Sequence, residues 1–374
     1  MTAIFKSKPV VSGWMYIALC FLPSSLYSQK SEQDEKTVDV YLEKASEYSS
    51  LKVSDSCLFY LNKALEIAEE KSSKDELFKV YMQYSKYLYN NGNYSIALEY
   101  TYKALNTLDQ EAIHYQDAVP SLLQKRYFTI HSEIGLNYLS MDHTKEGLKH
   151  FETGLGILNS LEGEDTDFVK ERRHRLYTNI GSAYLMENDL DSASVYYSKA
   201  LESLDKEKNL KELSVIYNNL GIICKEKKEY RQANDYYQKS LKIRSQLKDT
   251  LGLAQVYNNT GNVYYFQRNY AKAIPVLQKA LWLSKQSGGG IKSEMLAAQF
   301  LSNCYEQTRD YKSAFEMQKL SQQLNDSLMG TERIRIATQL GLEYQYKKQL
   351  KDQELEQQLK LKEKEKSILF AIIL

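Results

Sequence analysis

YNNLGIICKEKKEYRQANDYYQKSL (Tyr217 to Leu241) lies over YNNTGNVYYFQRNYAKAIPVLQKAL (Tyr257 to Leu281) at an offset of forty residues, and YTNIGSAYLMENDLDSASVYYSKAL (Tyr177 to Leu201) lies over both at the same offset. Nothing else in the 374-residue chain restricts its fold as strongly. A unit copied at fixed spacing is a supersecondary element that cannot bury its apolar face alone, so successive copies must stack. Looser copies run from Tyr41 to Leu65, Tyr81 to Leu105, Ile130 to Leu155 and Ala298 to Ser321. We count seven units from about residue 37 to residue 327, and read the stretch Asp109 to Phe128 as an inter-unit loop with extra helical turns.

Each unit carries two amphipathic helices. In the first, a large residue (Tyr177, Tyr217, Tyr257) is followed at +3 by Ile180, Leu220 or Thr260, at +4 by glycine (Gly181, Gly221, Gly261) and at +7 by Tyr184, Cys224 or Tyr264. That spacing lays one stripe along one helical face. Glycine inside a helix costs about 1 kcal/mol relative to alanine, so its recurrence implies a neighbouring helix too close for a Cβ. A turn follows, in which Asp189, Glu229 or Asn269 stands where a helix N-cap belongs; Asp and Asn cap well and Glu less so. The second helix places alanine (Ala193, Ala233, Ala273), a bulky residue at +4 (Tyr197, Tyr237, Leu277) and a small one three further on (Ala200, Ser240, Ala280). Small beside large at fixed offsets is how paired helices approach closely.

This arrangement of an aromatic, Leu-Gly and Tyr on one helix with Ala, Tyr and Ala on the next resembles the tetratricopeptide repeat (TPR). The family unit has about 34 residues; the forty here, without the closing proline, imply longer helices in the same fold. The resemblance implies an all-α, right-handed TPR solenoid of helix pairs. It also implies that the first helices line a concave face, with residues one and five after the leading aromatic turned toward it. Those are Asn218, Asn258 and Asn262, with Gln299 and Asn303 in the following unit. Asparagine both donates and accepts, so a row of such side chains can hold the backbone of an extended peptide; the alternative is that they simply meet water.

The residues given argue against an enzyme. Among His114, His131, His143, His150 and His174 no two have a tight metal-ligand spacing. SGGGIKS (Ser287 to Ser293) lacks the glycine that a phosphate loop places before its lysine, since Ile291 precedes Lys292. GLGIL (Gly154 to Leu158) fails as a dinucleotide motif. No cofactor or metal is expected. A formal charge of +1 offers no basic surface for nucleic acid. Cys57, Cys224 and Cys304 are far apart and odd in number, so they read as buried structural thiols. Most of the 31 tyrosines fall on core and ridge positions of the repeat.

The two ends read differently. Lys6 and Lys8, the apolar run Val10 to Leu22 and the small residues before Ser28 form an expected signal peptide over residues 1–28. A retained anchor is one alternative, and lipid attachment at Cys20 another, although Leu19 stands where a small residue is needed. Residues 328–366 should form a charged long helix, either a coiled coil that would make a homodimer or a solvated helix held by Glu–Lys pairs. SILFAIIL (367–374) is the start of a transmembrane segment or a short apolar tail, since a span needs about 20 such residues.

In that order the segments resemble the extracytoplasmic TPR region of bacterial membrane-anchored sensors and regulators. The expected function is a protein- or peptide-binding scaffold, exported and anchored in the cytoplasmic membrane at its C-terminus, that senses or recruits a partner. A free-standing secreted or periplasmic scaffold without signalling output is the alternative.

Overall fold

The computed structural model describes residues 37–51, 53–113, 115, 119–288 and 290–330. The expected signal peptide and apolar segment lie outside the described residues, as does the charged helix beyond residue 330. Among the described residues all regular structure is helical, and no helix is long and apolar enough to cross a membrane.

The chain divides after Ser72. The first body pairs α1 (Val38–Ser50) with α2 (Ser54–Glu70), burying Val38, Ala45, Cys57, Leu61, Ala64 and Ala68. Tyr60 stacks on Tyr48 at 5.4 Å.

The second body starts at Ser73 and stacks α3 (Lys74–Asn90), α4 (Tyr94–Ala112), α5 (Ser121–Ser140), α6 (Thr144–Ser160), α7 (Thr166–Met186) and α8 (Leu190–Ser203). It continues with α9 (Leu210–Glu226), α10 (Tyr230–Gln246), α11 (Thr250–Phe266), α12 (Tyr270–Gln286) and α13 (Ile291–Gln307), and residues 311–330 are helical as α14. Odd and even helices pair from α3/α4 through α11/α12, and each pair packs on the next. Ser302 Oγ donates to the Ala314 carbonyl at 2.9 Å, joining α13 to α14.

The turn inside each pair repeats atom for atom. Gly92, Asp142, Asn188, Lys228, Arg268 and Arg309 all hold positive φ, between 56° and 77°. The amide of the next residue reaches back to a carbonyl five residues earlier, as in Glu229 N–H to Cys224 O at 2.8 Å and Asn269 N–H to Tyr264 O at 2.8 Å. That pairing closes a helix end with a left-handed residue. It also aims the chain straight into the next helix. Asp189 and Asn269 accept the capping bond from Ser192 and Lys272, while Glu229 makes no such side-chain bond.

The helix-interior glycines mark where pairs close up. A Cβ on Gly135 would stand 2.4 Å from the Phe151 ring, on Gly221 2.4 Å from Tyr237, and on Gly261 2.5 Å from Leu277. Such approaches do not occur between real atoms. The close neighbour is the bulky residue on the second helix of the same pair, and Phe151, Tyr237 and Leu277 are each fully buried. Gly181 faces Tyr197 at a looser 3.1 Å. Cys57, Cys224 and Cys304 are free and buried. Burial pushes the Cys224 and Cys304 thiols up to about 11, which leaves no thiolate at neutral pH.

Candidate binding face

The first helices α9, α11 and α13 run side by side and carry all five polar residues expected to face a partner. Two of them join helices. Asn218 is 9% exposed; its amide donates to Asn219 Oδ1 at 3.1 Å, and its oxygen accepts from Asn259 Nδ2 at 2.9 Å. Asn258, 5% exposed, donates to both the carbonyl and the hydroxyl of Ser293 at 2.8 Å, which ties α11 to the start of α13. Burial of an amide is tolerated only when its hydrogen bonds are met, and these bonds meet most of that demand. Asn258 Oδ1 is left without a donor.

The other three stay on the surface. Asn262 is half-buried, with its Oδ1 tucked in and unpartnered; Asn303 is half-buried and Gln299 exposed. On α11 the spacing places Leu251, Gln255, Asn262 and Phe266 on one stripe, with Phe266 52% exposed. Leu296, Gln299 and Asn303 form the matching stripe on α13. Helix α11 (TLGLAQVYNNTGNVYYF) contains no Asp, Glu, Lys, Arg or His. On α11 the stripe therefore offers amides and apolar side chains without fixed charge, a surface suited to backbone amides and small uncharged side chains, while on α13 it is bounded by exposed Lys292 and Glu306.

A notch of about 340 Å³ lies between α12, α13 and α14, lined by Trp282, Lys285, Leu301, Tyr305, Glu316 and Met317 among others. Among the described residues no group of three or more His, Cys, Asp or Glu side chains gathers as a metal centre would.

A second repeated feature escaped the sequence reading. At offsets 0, 19 and 22 from the leading aromatic, two rings meet on one flank of a pair and a lysine covers them. Tyr177 and Tyr196 lie 6.0 Å apart, with Lys199 Nζ 4.9 Å from the Tyr196 ring. Tyr217 and Tyr236 with Lys239, and Tyr81 and Tyr100 with Lys103, repeat the arrangement. The attraction of an ammonium for a ring face explains it. In the α5/α6 pair the same offsets carry His131, His150 and Thr153, and the two Nδ1 atoms are 2.9 Å apart. The signal was present in the sequence, but only when the histidines are aligned on the tyrosines of the other units.

Models of the tetratricopeptide repeat match residues 212–286, and also residues 38–71 and 174–203. No curated protein matches the chain in sequence. Among solved structures it is similar to the apo form of RapI (TM-score 0.60, 15% identity, covering 78% of this chain and 99% of that one). It is similar also to a Rap protein complexed with competence and sporulation factor (TM-score 0.55, 16% identity, 83% and 82% covered). A third is the apo form of the quorum sensor NprR from B. thuringiensis (TM-score 0.53, 14% identity, 80% and 92% covered). At these identities the likeness is one of fold.

Proposed function

The chain is a tetratricopeptide-repeat protein, and on that premise we propose that it is a non-catalytic scaffold whose first-helix face receives an extended, uncharged stretch of peptide or protein. The observation that carries the reading is the ion-free stripe of α11 and its continuation on α13. Asn262, Gln299 and Asn303 offer hydrogen-bonding amides there, beside Phe266, Leu251 and Leu296. One solved relative in fold is a Rap protein held with a competence and sporulation factor, and another is described as a quorum sensor. They support a binding role by analogy of fold.

The test is capture of an immobilised library of extended, uncharged decapeptides by the wild type and by an Asn262→Ala, Gln299→Ala, Asn303→Ala variant. Loss of capture at unchanged melting temperature is expected. Equal capture by both proteins overturns the assignment. Asn258 is left intact in this variant because its bonds to Ser293 make it part of the fold.

Within that reading the scaffold serves as the extracytoplasmic part of a membrane-anchored signalling protein. The support is the order of segments in the sequence: an export signal, the array, a charged helix and an apolar run. Alkaline phosphatase fused after Gly330 should be active if the array is exported. The expressed chain should resist carbonate extraction if it is anchored; release into the soluble fraction favours the free-standing scaffold instead.

A further inference from the structure

We propose that His131 and His150 form a binding site for a late divalent transition metal of the Zn²⁺, Ni²⁺ or Cu²⁺ class, in the place where neighbouring repeats hold a lysine ammonium. In those repeats the cation is built in, as Lys103, Lys199 and Lys239 over their tyrosine pairs. In the α5/α6 pair the equivalent residue is Thr153, whose hydroxyl turns back to donate to the Lys149 carbonyl at 3.1 Å. The ring position is kept while its cation is gone, and both rings are now imidazoles, the commonest nitrogen ligands of such metals.

The geometry fits. The Nδ1 atoms are 2.9 Å apart and the ring centroids 5.2 Å apart, so both nitrogens lie between the rings, facing one another. Two imidazoles on one tetrahedral ion with metal–nitrogen bonds of about 2.0–2.1 Å have nitrogens roughly 3.3 Å apart. Both nitrogens lie on the line between the ring centres, so each ring must swing by roughly 35° to turn its lone pair onto such an ion. Without metal, one Nδ1 donates its proton to the other. When the ion enters, that proton moves to the Nε2 of the same ring, and no proton leaves.

The setting keeps the ligands competent. Burial holds the protonation of His131 below the usual histidine range, and burial, His131 and Lys149 hold that of His150 down to about 4. Both rings are thus neutral at pH 7, as metal binding requires. Asp109 on α4 is the nearby carboxylate acting on His131, and Lys149 on α6 is the opposing cation. Tyr138 stacks on His150 at 5.8 Å and also stacks on His143, and the Tyr102 hydroxyl lies 3.3 Å from that of Tyr138. With two protein nitrogens and water completing the shell, the site is weaker than a four-ligand structural centre.

The experiment is calorimetric titration of the full chain with NiCl₂ or ZnCl₂ at pH 7.5, with histidine nitrogen NMR at saturation. One equivalent should bind saturably, both Nδ1 resonances should move together, and binding should weaken progressively as the pH falls from 6.5 toward 4. The double variant His150→Tyr, Thr153→Lys rebuilds the arrangement of Tyr196 and Lys199 and should lose the site while remaining helical. The single variant Thr153→Lys keeps both imidazoles, sets an ammonium beside them and should weaken binding at least tenfold, which serves if the double variant does not fold. No saturable binding by the wild type, or equal binding by the variants through His114, His143 or His174, overturns the proposal.

Discussion

Tyr197 and Tyr237 occupy the same place forty residues apart, both fully buried against a first-helix glycine, yet only Tyr197 has partners for its hydroxyl. Tyr197 accepts from Asn219 Nδ2 at 2.9 Å and pairs with Ser182 Oγ at 2.8 Å, while Ser182 donates to the Thr178 carbonyl. One repeat later Ile222 replaces the serine, and Asn259 turns to Asn218 instead. Tyr237 Oη is left buried and unbonded.

The two tyrosines should therefore answer the same substitution differently. Tyr197→Phe breaks a satisfied chain and should cost about 1–2 kcal/mol. Tyr237→Phe removes an unpaired polar atom and should be neutral or stabilise by up to about 1 kcal/mol. Urea unfolding of the two variants beside the wild type checks this; equal losses would show that the hydroxyls are not what separates them.

Glycines divide in the same way. Gly221→Ala drives a Cβ to 2.4 Å from a Tyr237 ring that has no room to move. Overpacking of about 1–3 kcal/mol, less the gain in helix propensity of about 1 kcal/mol, should leave a net loss of up to roughly 2 kcal/mol. Gly156 lies inside α6 with nothing within 4 Å of its missing Cβ. Gly156→Ala should raise stability by about 0.5–1 kcal/mol, read as a higher denaturant midpoint at unchanged slope.

The left-handed turn residues form a third series. Lys228 holds φ at 63° and Gly92 holds 77° in equivalent turns. Left-handed backbone costs a residue bearing a Cβ about 1–2 kcal/mol, and glycine returns part of that gain in chain entropy. Lys228→Gly should stabilise by about 0.5 kcal/mol and Gly92→Ala should destabilise by about 1 kcal/mol. Thermal melts of the pair should move in opposite directions.

Acid should weaken the second body in two windows. His131, His150 and buried His174 all have protonation depressed by burial first of all. A histidine whose folded value lies below its unfolded value of about 6.5 is stabilising while neutral. That contribution is complete above pH 6.5 and fades as the pH falls toward the folded values, with His150 at about 4. Asp189 and Asp310, lowered by bonds to Ser192 and Ser313, and Asp165, lowered first by Lys125, contribute above their unfolded values. Their share fades below about pH 4. A His150→Gln variant should show a flatter melting-temperature profile between pH 6.5 and 4 than the wild type.

The pairing of helices was legible because glycine and its bulky counterpart are covalently fixed at one spacing within each unit. The capping difference between Asp189 and Glu229 was legible for the same local reason. The fate of the asparagines was not. Asn218 and Asn258 stand one residue after the leading tyrosine, on the border between the open face and the adjacent first helix. Only the distance to Asn259 and to Ser293, set by how the pairs stack, turns them inward. The histidine pair was hidden for another reason: nineteen residues is no ligand spacing on one helix, and it becomes a contact only when α5 and α6 fold back on each other.

The glycine-to-ring contacts stay inside a pair, whereas the bonds of Asn219 to Tyr197, Asn259 to Asn218 and Asn258 to Ser293 all cross from one pair to the next. The two kinds of contact differ in how they fail. Interlocked shapes resist sliding until they jump apart, while a few hydrogen bonds can be exchanged one at a time with water. Under tension the second body would behave as a row of stiff tiles on compliant seams. The seams would part before any tile splits, each at a load set by the apolar cluster it buries together with the few side-chain bonds that cross it.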